Sequence, residues 1–167
     1  MIDWSKMDMR VSRTEQKKAH ERLQQLAQPL AHLSKKQLKK LTVSEFLLAE
    51  LNALADLPDG SARNRQIKRI GKMMAEENRD ELIDGLFALS FSPEQANKID
   101  AWYDRLNIND ESTLKQFGKQ FYVVERNSLY QLLLWIEYAK YLQDDELLAE
   151  SEADLKNYIH EVAILSK

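Results

Sequence analysis

Five cations fall within the twelve residues from Arg63 to Met74, RNRQIKRIGKMM, in a chain whose formal net charge is −3. On a helix with Arg63 as zero, Ile67, Ile70 and Met74 fall at about 40°, 340° and 20°. Lys68, Lys72, Arg65 and Arg69 fall at about 140°, 180°, 200° and 240°, on the opposite side. The pattern predicts a helix that packs its apolar residues inward and displays four cations in a stripe roughly 100° wide. Such cations stand about 5–6 Å apart, close to the phosphate spacing of a nucleic-acid strand. Arginine brings a planar donor fork to phosphate and lysine a point charge, so the chemistry on offer is backbone binding to a polyanion. The competing reading is an exposed, solvated helix face. Gly71, at about 80° on the edge of the buried face, costs about 1 kcal/mol relative to alanine in a helix interior. It admits the close approach of another backbone or of a ligand.

Other chemistry finds little support. His20, His32 and His160 are far apart in sequence, and no His-Glu-x-x-His, phosphate-loop or glycine-rich nucleotide fingerprint occurs. Carboxylate pairs such as Asp144 and Asp145 are common on acidic surfaces and define no site without a pocket. The chain has no cysteine, so it carries no disulfide, thiolate metal site or cysteine nucleophile. The expectation is a cytoplasmic protein without catalytic residues, metal or cofactor. No apolar run approaches the roughly eighteen residues of a membrane span, and no basic-then-apolar leader opens the sequence.

These residues need elements to position them. At 44% hydrophobic, 167 residues can bury a core, and only three prolines and four glycines punctuate them. The composition predicts an all-α fold, and strand-like alternation is absent. SRTE at Ser12–Glu15 reads as a capping box. Behind it, Ala19, Leu23, Leu26, Leu30 and Leu33 form one stripe, with Pro29 kinking or ending the helix. SKKQ from Ser34 and TVSE from Thr42 repeat the capping pattern, and Phe46, Leu47, Leu51 and Leu54 form the buried face of the next helix. LPDG at Leu57–Gly60 is a turn. The basic helix spans about 61–77, and NRDE at Asn78 starts another that ends near Leu89. SPEQ at Ser92 opens a helix through Leu106. After the loop at Asn107–Asp110, helices are expected at about 113–122, 127–142 and 151–165.

Charge is uneven along the chain. Up to Ala75 there are fifteen Lys and Arg against eight Asp and Glu; beyond it there are nine against nineteen. Either the basic end meets a polyanion, or the two ends attract each other within the molecule. The layout of Val43–Asp56, the LPDG turn and the basic helix also admits a helix-turn-helix, with Arg63, Asn64 and Gln66 as base readers.

SRTEQKK near the start, with ARNRQIKRIGKMM some fifty residues later, resembles the bacterial dual-action ribosomal maturation protein family (DarP, also YjgA). Gln66, Ile70, Gly71 and Lys72 match its Arg-x-Arg-Gln-x-x-x-Ile-Gly-Lys helix in register. KIDAWYDRL and YLQDDELLAESEADLKNYIHEV extend the resemblance more weakly, so that it spans most of the chain from Ser12 onward.

The resemblance implies two small helical bundles joined through a connecting helix: a basic one at 1–90 and an acidic, aromatic-rich one at 91–167. It implies a monomeric, non-enzymatic factor bound to 23S ribosomal RNA in late precursors of the large (50S) subunit. Such a factor favours maturation of the peptidyl transferase centre, with other large-subunit assembly factors as further partners. The matching basic positions, as RNA contacts, are Arg13, Lys17, Arg63, Arg65 and Lys72; the helical wheel adds Lys18, Lys68 and Arg69. The chain departs from the family in VERNSLYQLLLWIEYAKYL, which retains Arg126 but is otherwise apolar and aromatic, and in SFSP around Pro93, which interrupts the connecting helix. Trp135, Tyr138, Tyr141 and Tyr158 then read as core or as a protein-facing patch. The alternatives are a helical protein-protein adaptor and helix-turn-helix DNA binding.

Overall fold

Short polar side chains ahead of apolar stripes start most of the helices. The computed structural model describes residues 2–10 and 12–167 and is all-α, with no strand among the described residues. After a 3-10 turn at Trp4–Lys6, the helices are α1 (Arg13–Gln25), α2 (Ala27–Ala31), α3 (Lys35–Leu38), α4 (Glu45–Leu54), α5 (Ser61–Met73) and α6 (Arg79–Ser90). There follow α7 (Pro93–Asp100), α8 (Trp102–Arg105), α9 (Glu111–Gln120), α10 (Arg126–Leu142) and α11 (Asp145–Leu165). Ser34 and Ser92 form complete capping boxes with Gln37 and Gln95, and Asn78 caps the backbone N–H of Glu81.

Several boundaries differ from the sequence reading, each for a local reason. Ser12 caps Glu15 as expected, but the Glu15 carboxylate does not return to complete the box; it accepts from Ser128 and Asn127 of α10. The cap of α4 is Ser44, bonded by the N–H of Leu47, rather than Thr42. The first break comes at Leu26, whose N–H tightens onto Leu23, and Pro29 lies within the short α2. Phe46 is 80% exposed, while Leu47, Leu51 and Leu54 are buried. It lies about 100° off the stripe those leucines define. The last helix begins at Asp145 because Asp144 caps Leu147, so the acidic residues at 145 and 146 occupy a first turn that favours negative charge. The interruption read at SFSP is present, with Phe91 extended and Pro93 opening α7 behind the Ser92 cap, but the helix expected to run through Leu106 ends at Asp100 and resumes as α8.

The long α10 and α11 form a hairpin closed by Gln143, a left-handed residue with φ of 56°. Helix α11 also packs on α6, α7, α8 and α1, while α5 packs on α1, α2 and α4. One continuous apolar cluster runs from Leu23 and Ile70 to Val162 and Ile164. An ion pair inside it joins Arg79 of α6 to Glu161 of α11 at 2.8 Å, with Glu161 fully buried. Burial holds the Glu161 carboxyl above the ordinary range, against the pull of Arg79 and Arg22.

Candidate nucleic-acid interface

Helix α5 is pinned before it displays anything. Gly60, with φ of 148°, turns the chain into the helix in a conformation that side-chain-bearing residues rarely adopt. Ile67, Ile70 and, just beyond the helix, Met74 are buried, on the face the spacing predicts. A Cβ on Gly71 would stand 3.1 Å from the carbonyl oxygen of Gln24, so the glycine admits the backbone of α1.

On the opposite face Arg65, Lys68, Arg69 and Lys72 are all exposed. Arg69 is 66% exposed and stands 3.6 Å from Glu50, which also accepts from Gln66. Arg65, Lys68 and Lys72 have no hydrogen-bond or ion-pair partner among the described residues. Exposed pairs such as Arg69–Glu50 contribute little stability, so this guanidinium stays available to a stronger anion. Arg13 and Lys17 are exposed and unpartnered in the same sense on α1. Lys17 and Gln24 are seven residues apart, roughly 10 Å along one helix face. Because Ala31 meets Arg63 and Gln24 meets Gly71, α1 runs antiparallel to α5, and Lys17 and Arg13 lie on the part of α1 that continues past the Lys72 end of the stripe, where the turn at Met74–Glu76 also packs on α1.

Two of the expected contacts point inward instead. Arg63 is only 15% exposed; its guanidinium donates to the carbonyls of Leu54 at 2.6 Å, Leu57 at 3.2 Å and Ala31 at 3.0 Å. It clamps the ends of α2 and α4 to the start of α5, satisfying carbonyls that a helix terminus leaves without partners. Lys18 is 27% exposed and sits 2.7 Å from Glu125 and 3.5 Å from Glu15. Its bond to Glu125 raises its pKa. Burial opposes ionisation of Glu15, but the donors Ser128, Asn127 and Lys18 outweigh it and hold that carboxyl below its ordinary range. Both cations hold the molecule together rather than facing solvent.

The helix-turn-helix alternative loses its readers by the same geometry. Arg63 is committed to carbonyls and Gln66 to Glu50, which leaves Asn64 alone of the three free to face a base. A cluster the sequence reading passed over lies on α3 and just after it. Lys35, Lys36, Lys39 and Lys40 are all exposed around the buried Leu38, and among the described residues only Lys35 has an acidic neighbour, Asp56 at 3.9 Å. The signal was present as four lysines in KKQLKK.

Among the aromatic residues, Tyr158 is core, its hydroxyl accepting from the N–H of Glu125. Tyr138 and Tyr141 instead carry Trp4, at ring separations of 5.2 and 5.7 Å. His160 bridges Asp84 and Asp100 and stacks on Phe87. Among the described residues no group of three or more His, Cys, Asp or Glu is arranged to hold a metal ion, and no helix is long and apolar enough to cross a membrane.

A family model described as the dual-action ribosomal maturation protein DarP matches residues 9–160. A protein so named from Methylobacillus flagellatus is 29% identical over 127 residues, covering 74% of this chain and 70% of the relative. One from Actinobacillus succinogenes is 29% identical over 144 residues, covering 79% and 78%. One from Vibrio campbellii is 31% identical over 126 residues, covering 73% and 72%. No solved structure matches the chain. With nearly the whole chain matched and the basic helix inside the match, this protein belongs to the dual-action ribosomal maturation protein family.

Proposed function

We propose that this chain is a ribosome-maturation factor that grips ribosomal RNA of a late large-subunit precursor through the outward cations of α5 and α1. The RNA is 23S, and the bound factor favours maturation of the peptidyl transferase centre. The observation that carries the RNA contact is the trio Arg65, Lys68 and Lys72: exposed, without partners among the described residues, and mounted on a helix whose other face is buried. Arg69, Arg13 and Lys17 extend the surface; Arg63 and Lys18 act indirectly, by holding α5 and α1 in place. Cations at one- and two-turn spacing suit phosphates and sugars, so recognition follows the shape of a folded RNA rather than its sequence. On this reading the basic part at 1–90 faces the particle, and the acidic part at 91–167 braces it.

The test is sedimentation of a lysate through a sucrose gradient, comparing the native chain with Lys68→Glu/Lys72→Glu. The native protein should travel with large-subunit precursors and be scarce on translating ribosomes, and the double variant should fall back toward the soluble fraction. On purified particles, the slope of log affinity against log salt should shrink by about 0.7–0.9 per lost contact, roughly 1.5 for the pair. Native protein found only in the soluble fraction at low salt would favour the adaptor reading.

A further inference from the structure

Phe46, in the first turn of α4, is 80% exposed, the most exposed large apolar side chain among the described residues. The others, Tyr122, Tyr130, Tyr141 and Leu142, all fall in the second half of the chain, so the basic part displays this one ring. Its position is fixed by its neighbours. Leu47 is fully buried, and α4 runs antiparallel to α5: the N–H of Ser44 donates to Glu77 at 2.7 Å, while Glu50 meets Gln66 and, at 3.6 Å, Arg69. Phe46 stands one turn before Glu50, about 40° round the helix from it and roughly 6 Å along the axis. The ring therefore lies past Arg69 toward the Lys72 end of α5, on the flank of α4 that adjoins the cation stripe. The carboxylates along this seam are engaged, Glu50 by Gln66 and Arg69 and Glu77 by Ser44, and Glu45 lies about 100° away round α4. A phenyl ring in water contributes nothing to the fold.

We infer that Phe46 is a stacking platform for an unpaired RNA base, working beside phosphate contacts at Arg69 and Lys72; the inference rests on the RNA-contact reading of α5. An aromatic face next to a track of cations is how single-stranded nucleic acid is held. The cations take the backbone and the ring takes a base of any identity, since every base has a π-face. A protein partner asks for different surroundings. Interface cores bury apolar area and are depleted of charge, whereas this ring is solitary and faces Arg69 and Lys72 across the α4–α5 seam. The stripe alone would accept paired and unpaired RNA alike, because phosphate contacts carry no base information. Phe46 favours a loop, bulge or strand end, where bases are free to splay out onto a ring.

The test uses the full chain and two RNA probes of equal phosphate count, a hairpin with an unpaired adenosine loop and a continuous duplex. Equilibrium binding is measured over a range of salt for the native protein, Phe46→Ala, Phe46→Leu and Phe46→Trp. The side chain is mostly in solvent, so all three variants should melt like the native protein by circular dichroism. Phe46→Ala and Phe46→Leu should weaken hairpin binding roughly 5- to 150-fold and leave duplex binding as it was. The salt slope should stay at the native value, because no phosphate contact is lost. Phe46→Trp should bind the hairpin at least as tightly as the native protein. Native hairpin affinity in Phe46→Ala or in Phe46→Leu, or an equal loss on both probes, overturns the inference. Lys68→Glu/Lys72→Glu separates it from the reading beneath it, since that variant should lose affinity for both probes and lower the salt slope. If binding depends on Lys68 and Lys72 but not on Phe46, the stacking role alone falls; if the native protein binds neither probe, the RNA-contact reading falls and takes the stacking role with it.

Discussion

Arg63 offers the sharpest test of how the basic window divides its labour, because two roles predict opposite outcomes for one substitution. If Arg63 met phosphate, lysine would keep the charge and most of the affinity. In the structure it instead donates to three carbonyls, from Ala31, Leu54 and Leu57. A lysine ammonium on a flexible stem cannot reproduce that fork. Hydrogen bonds from a charged donor contribute about 1.5–3 kcal/mol each, and a carbonyl left without a partner adds a desolvation penalty. The side chain is 15% exposed, so little of this is screened. The three bonds share one guanidinium and do not add, and water can reach some of the freed carbonyls, so Arg63→Lys should cost about 2–3 kcal/mol and Arg63→Ala about 3–4. For a chain of this size each kcal/mol moves the melting temperature by roughly 2–4 °C, which predicts a fall of about 5–15 °C for either variant. Thermal and urea unfolding followed by circular dichroism read it. Well below the melt, the salt slope of particle binding should match the native protein. An unchanged melting temperature for Arg63→Lys, or a salt slope lower by nearly one unit for Arg63→Ala, would refute the clamp and return Arg63 to the RNA-facing set.

Three other expectations follow from the packing. Glu161→Ala removes a fully buried carboxylate and leaves Arg79 without its partner, so urea unfolding should show a loss of about 3 kcal/mol, low in the range for a broken buried pair because Arg79 is partly exposed. Glu15 has a lowered folded pKa, so its contribution is complete above the ordinary glutamate value of 4.5 and disappears as pH falls through the folded value. The stability gap between native protein and Glu15→Gln should accordingly narrow on acidification, and a gap constant with pH would show that the carboxylate is not what joins α1 to α10. Gly71→Val places branched carbons against the Gln24 backbone and should loosen α1 from α5, seen as faster amide hydrogen exchange in both helices; unchanged exchange would mean that the close approach is not required.

What the sequence made legible was local. Ser34 with Gln37 and Ser92 with Gln95 each sit three residues apart, and Ile67, Ile70 and Met74 recur at helical spacing, so both caps and the inward face of α5 follow from neighbours alone. The same wheel puts Arg63 at zero, in the middle of that apolar stripe. Its inward direction was therefore readable from spacing, although motif matching groups it with the outward cations. Phe46 was readable too, being off the leucine stripe. The Glu15 contact was not: its acceptor role toward Ser128 spans 113 positions, and no periodicity encodes a partner at that distance. Glu125, which holds Lys18, comes from the same end of α10.

The uneven charge along the chain turns out to have two resolutions at once. Part of the basic excess is neutralised inside the molecule by the acidic end, as Lys18 is by Glu125. This pair ties α1 to α10, so attraction between the two ends serves assembly. It does not reach Arg13, Lys17, Arg65, Lys68, Lys72 or the lysines at 36, 39 and 40, which have no acidic partner among the described residues. Within α5, Arg65 with Lys68, and Lys68 with Lys72, stand at three- and four-residue spacing, where like charges cost a few tenths of a kcal/mol per pair. The free chain bears that repulsion because buried Ile67 and Ile70 fix the helix regardless. Counter-charge for these cations comes from outside the chain, either from salt ions that screen them diffusely or from a polyanion that matches their spacing. Binding such a polyanion relieves repulsion the fold has already absorbed and releases the polyanion's own counterions, so both gains shrink together as salt rises.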